Sequence, residues 1–154
     1  MTYDKDMPAA PGPSSRRPAP LAGDLRVALT HAVRRIRMER SSDQITDVQY
    51  SVLAALSMHG PMAPSTLAEH EHVQPPHMTR VVTALEQAGL VQRSAHPTDG
   101  RQVVVSITDA GQDEVRETRR RRDAWLAERL ATLTADEREV LADATALIRR
   151  IVDR

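Results

Sequence analysis

The chain has 154 residues, enough for one domain with its own core. Apolar residues make up 40% but aromatics only 2%, with no Phe, so the core must be Leu, Val, Ile, Ala and Met, which suits packed helices better than a β-sandwich. There is no Cys, which excludes disulfides, Cys-ligated zinc, iron–sulfur clusters and thiol chemistry, and the formal net charge of +0 leaves any nucleic-acid surface to a few well-placed cations. No apolar run approaches the ~20 residues of a membrane helix, and the N-terminus lacks the apolar stretch of a signal peptide. The expectation is a soluble cytoplasmic protein with no membrane partner and no cofactor.

Residues 1–20 are rich in Pro, Ala and Ser and are read as a flexible tail that cannot bury a core. From 21 to 40 the apolar residues Leu21, Leu25, Ala28, Leu29, Ala32, Val33 and Ile36 fall at helical spacing, opposite Arg26, Arg34, Arg35 and Arg37. A second helix, 47–58, opens with a capping box in which Thr46 and Gln49 satisfy each other's backbone, and stops at Gly60-Pro61. A third, 64–71, starts at Pro64, where a helix needs no N–H. The fourth, 75–88, begins with Pro75-Pro76, buries Met78, Val81, Val82, Leu85 and Ala88, and ends at Gly89.

Two strands follow, 91–95 and 102–107, joined by Asp99-Gly100, a strong hairpin signal. A fifth helix runs from Thr108, a plausible N-cap, to 131. The sequence "TADE" at 134–137 is a second capping box and opens a sixth helix with Val140, Leu141, Ala144, Leu147, Ile148, Ile151 and Val152 apolar. The fold class is therefore mainly α (α+β): a winged helix-turn-helix with a small antiparallel β-hairpin wing, between long two-faced helices.

In that arrangement the fourth helix lies in the DNA major groove. Its exposed start offers Gln74, Pro76, His77, Thr79 and Arg80. The polar members reach base edges and phosphates, an arginine takes a guanine with two hydrogen bonds, and a helix start favours nearby phosphate. The competing reading of Arg80 is a surface residue paired with Glu86 or another carboxylate. At the hairpin tip Arg101 is suited to the electronegative minor groove. Pro97 stiffens the loop, Gly100 permits its turn, and Asp99 orients Arg101. Arg93 either contacts a phosphate or ends a strand in solvent.

Arg119–Arg122 cannot share one helix face. With Glu117 spaced for Arg120 and Arg121, they read as a salt-bridged solvated surface and not a phosphate patch. Trp125 reads as a packing anchor at a helix–helix contact. His70, Glu71 and His72 lack any zinc-ligand spacing, and residues two apart do not face the same way. No metal site is assigned, and a metal-responsive regulator stays an alternative. No nucleophile elbow, phosphate-cradling Gly loop or paired-carboxylate site is present, so no enzyme is expected.

The stretch "LAEHEHVQPPHMTRVVTALEQAGLVQRSAHPTDGRQVVVSITDAG" resembles the core of the MarR family of transcription regulators. The likeness lies in Thr79-Arg80, in "LEQAGLVQR" ending at Arg93, in the wing "DGR" at Asp99–Arg101 and in "SITDAG", and the flanking helices fit the family's dimerisation region. The resemblance implies a homodimer, with residues 21–45 and 109–154 as the dimerisation region and 46–108 as the DNA-binding module. It implies a repressor on a palindromic double-stranded operator, with half-sites one helical turn apart. It also implies relief by a small aromatic (phenolic) ligand bound between the two regions, for which His31, Arg34 and Arg35 are the candidates. Pro75-Pro76 and His77 depart from the small hydroxyl residues common in the family, which bears on base preference. The reading from another class is a winged protein-interaction module without DNA binding.

Overall fold

The structure is a computed structural model and describes residues 17–39, 45–95 and 102–152. Its elements are α1 (Pro18–Arg37), α2 (Asp47–His59), α3 (Pro64–His70), α4 (Pro75–Gln87), β1 (Val91–Ala95), β2 (Val103–Ile107), α5 (Asp109–Leu130) and α6 (Ala135–Val152). α1 belongs to one compact unit and the remaining elements to a second, Glu39–Arg154. No helix among the described residues is long and apolar enough to cross a membrane.

α1 starts three residues earlier than its apolar spacing predicts. Pro18 occupies the first turn, where the missing N–H has no partner to lose. None of its residues is buried. The other helix starts are built as read. Thr46 and Gln49 close a reciprocal capping box, with Gln49 N donating to Thr46 Oγ1 over 3.3 Å and Thr46 N to Gln49 Oε1 over 2.8 Å. Thr134 and Glu137 repeat it at α6, at 2.8 and 3.2 Å.

α3 and α4 both end in the same device. After α4, Gly89 takes the left-handed conformation (φ +72°); its N–H donates to Glu86 O and that of Leu90 to Leu85 O, both at 2.9 Å. After α3 the left-handed place is held by His72 (φ 53°), with His72 N donating to Glu69 O and Val73 N to Ala68 O. This forms the tight turn between α3 and α4, and Val73 folds back onto the core.

β1 and β2 pair antiparallel from Val91↔Ile107 to Ala95↔Val103. Met62 joins on the far side of β2, exchanging two backbone hydrogen bonds with Val105 at 3.0 and 2.8 Å. A single bridging residue leaves no periodic trace, so the sequence gives no sign of it. The core gathers Val52, Leu53 and Leu56 of α2, Leu67 of α3, Met78, Val82 and Leu85 of α4, Val91, Val105, and Val115 of α5.

α5 is tied into this core at its start. Thr108 caps the helix by accepting from Gly111 N, and its hydroxyl donates to Gly89 O over 2.7 Å. Its N–H donates to Leu90 O over 3.0 Å. Further along, Ser57 of α2 donates to Gln112 Oε1 over 2.7 Å. The arginine run then diverges. Arg120 and Arg121 both bond Glu117 at 2.8 Å, while Arg122 lies 4.1 Å over the Tyr50 ring. Trp125 is half-buried, with the Arg129 guanidinium 4.7 Å over its ring.

Candidate nucleic-acid interface

α4 is two-faced. Met78, Val81, Val82 and Leu85 are buried, while Gln74, Pro75, Pro76, His77, Thr79 and Arg80 stand in solvent. The spacing of the apolar residues dictates this split as far as Leu85; Ala88, expected in the buried stripe, is exposed, because it caps the helix where the chain turns away. Arg80 has no ion pair or side-chain hydrogen bond among the described residues, and Glu86, its competing partner in the sequence reading, bonds elsewhere. A free arginine and an amide one and a half turns apart are suited to base edges or phosphate oxygens.

The start of α4 has unusual chemistry. A helix normally presents free backbone N–H groups in its first turn, and these make its N-terminus an anion site. Here Pro75 and Pro76 have no N–H to give. The next two N–H groups, of His77 and Met78, both turn back to Gln74 O at 2.9 and 3.1 Å. The expectation that this helix start favours phosphate is therefore corrected in part. The dipole remains, but its main-chain donors are absent or engaged. The hydroxyl of Thr79 likewise donates inward, to Pro75 O over 3.0 Å, leaving its oxygen and methyl toward solvent.

Arg93 makes two bonds that the sequence reading did not name. From β1 its guanidinium reaches α4, with Nη1 donating to Glu86 Oε2 over 2.9 Å and Nη2 to Thr83 Oγ1 over 3.0 Å. No local pattern points to this bond, because seven and ten residues separate the partners and only the packing of β1 against α4 joins them. The strand ends Ala95 and Val103 are paired. Asp99 and Arg101, expected at the hairpin tip, lie outside the described residues.

His31, Arg34 and Arg35 are exposed on α1, at spacings that place them on one helix face. Elsewhere Glu71 accepts from Ser51 Oγ over 2.9 Å and meets His70 Nδ1 at 3.0 Å, with the His59 ring edge-on to His70. Among the described residues no three His, Asp or Glu side chains converge as metal ligands. A cavity of about 330 Å³ opens behind the C-terminal half of α4, lined by Ile45, Gln49, Ala84, Leu85, Leu90 and Glu114. The sequence reading missed it, since it arises only where α2, α4 and α5 meet.

Comparison with known proteins gives this geometry a family. The family model described as MarR matches residues 45–103, from the start of α2 to the start of β2. An HTH-type transcriptional regulator of Mycobacterium bovis is 44% identical over 135 residues, spanning 88% of this chain and 94% of its own. The HTH-type transcriptional repressor MdtR of Bacillus subtilis is 32% identical over 130 residues, 82% of this chain and 84% of its own. Among solved structures, YusO of Bacillus subtilis matches with a TM-score of 0.69 at 30% identity, covering 88% of this chain and 99% of its own. The PcaV transcriptional regulator of Streptomyces coelicolor, solved in complex with its natural ligand, matches with a TM-score of 0.55 at 30% identity, over 94% of this chain and 97% of its own. The helix-turn-helix, the wing and a likeness that runs nearly the full length of these relatives lead to one conclusion: the chain belongs to the MarR family of HTH-type transcriptional regulators, and is not an enzyme.

Proposed function

We propose that the chain acts as a homodimeric repressor of a palindromic operator, released by a small aromatic acid. The observation that carries this reading is α4, which hides its apolar stripe and turns Gln74, Pro76, His77, Thr79 and Arg80 to solvent. α4 lies in the major groove, where Arg80 takes a guanine or a phosphate. Asp99 and Arg101 enter on their place in the sequence alone: Arg101 goes into the minor groove, and Asp99 orients it. Residues 46–108 form the DNA-binding module.

Residues 21–45 and 109–154 form the dimerisation region. α6 supports this, because Leu147, Ile151 and Val152 are 53%, 66% and 74% exposed in the single chain. Burying what remains exposed of each such side chain stabilises by about 1–2 kcal/mol, and a second copy supplies the matching surface. Repression draws support from MdtR, a repressor, and ligand release from PcaV, solved with its natural ligand. The ligand's carboxylate is assigned to His31, Arg34 and Arg35.

The test is selection of bound duplexes from random DNA, followed by gel shifts at several salt concentrations with and without aromatic acids. The expected result is a palindromic site, retarded by a dimer and released by one of the acids. Arg80→Ala should weaken that site about ten- to a hundredfold. A monomer that retards no duplex even at low salt overturns the reading in favour of a protein-interaction module.

A further inference from the structure

We propose that Arg93 is a positioning residue that sets the wing against the recognition helix, and that it is not itself a DNA contact. The inference rests on the operator-binding reading above. Arg93 projects from β1, and the two groups it bonds, Thr83 and Glu86, sit three residues apart on α4. Its planar fork therefore spans one turn of the helix and fixes the strand to it in a single orientation. Thr83 passes the constraint along. Its oxygen accepts from Arg93 while its proton goes to Thr79 O over 2.8 Å. The bonded arm thus ends on Thr79, beside Arg80 on the reading face.

Charge favours the same assignment. The Arg93–Glu86 pair is neutral as a unit, with the two side chains 32% and 38% exposed. Drawing Arg93 off to a phosphate would strip Glu86 of its partner and leave a bare carboxylate facing a polyanion, a like-charge contact that opposes binding. A pair this exposed adds little to folding stability. Its consequence is orientation: it holds the wing and α4 at one angle before DNA arrives.

The experiment uses the full chain and the operator selected as above, with Arg93→Ala, Arg93→Lys, Glu86→Ala and the Arg93→Ala/Glu86→Ala double variant. Each single change should weaken operator binding about three- to tenfold, and the double variant should be no weaker than either single. Lysine should fail to rescue, because it keeps the charge and loses the fork. In the Arg93→Ala/Glu86→Ala double variant, which leaves no bare carboxylate, the slope of log K against log salt should match the parent, and binding to random-sequence duplex should stay within about twofold, since no phosphate contact is lost. A slope shallower by about one in the double variant, or tighter binding by Glu86→Ala, identifies Arg93 as a phosphate contact and overturns the proposal. Parent-like operator binding by all four variants overturns it too. Those results leave the operator reading standing, whereas a parent chain that selects no operator removes both.

Discussion

Gly111 is the third residue of α5, and a Cβ there would lie 2.2 Å from Leu90 O and 2.7 Å from Ile107 Cγ1. The carbonyl cannot move aside freely, because it accepts the Thr108 N–H. Gly111→Ala should therefore destabilise the fold by about 1–3 kcal/mol, read as a lower urea midpoint at unchanged m-value. An unchanged midpoint would mean that α5 does not dock this closely. The two prolines of α4 make a second residue-scale case, this time about binding. Pro75→Ala with Pro76→Ala returns two main-chain N–H groups to the helix start. Backbone donors bond phosphate without reading sequence. The double variant should bind operator and random duplex more tightly alike, by about three- to tenfold in fluorescence anisotropy. A gain confined to the operator would place the effect on base contacts instead.

Among the elements, α5 carries a charge device. Hydrogen bonds from Arg120 and then Arg121 hold the Glu117 carboxyl down from 4.5 to about 2. A carboxylate lowered by folding adds stability above its unfolded value, and that stability is lost as the pH falls through the folded value. The window is therefore about pH 4.5 to 2. Glu117→Gln should flatten the acid limb of stability in that window and leave the neutral limb parallel to the parent, measured by denaturant midpoints across pH. An acid limb as steep as the parent's would show that the pair does not hold in solution. Helix starts were legible because capping is local: Thr46 with Gln49, Thr108, and Thr134 with Glu137 each act across three residues. The divergence of Arg119–Arg122 was legible for the same reason, as was the bond of Glu117 to two of them. The partner of Arg93 was not, because it lies on another element.

For the whole molecule, the part proposed for α6 rests on a second copy. An 18-residue helix with no buried residue has little of its own to hold it in water. Leu147→Glu should turn the dimer into a monomer in sedimentation and abolish operator retardation, while the melting of the parent chain should rise with its concentration. A parent melting temperature independent of concentration would remove the second copy from the argument. In the proposed dimer, the joint at Thr108 is the link from dimerisation to DNA. That residue ties the end of α4 and the start of β1 to the first turn of α5, so the reading helix and the wing are carried by the same long helix.

The order of elements, their caps, the apolar stripe of α4 and the winged family were all written in the sequence, because each rests on spacings within about one helical turn or on one contiguous motif. Tertiary structure alone decided where Arg93 goes, that Met62 extends the hairpin, that a cavity opens behind α4, and why residue 111 is glycine. These depend on atoms brought together from distant parts of the chain. A side chain's type sets what it can bond, but only the packed fold sets what lies within reach.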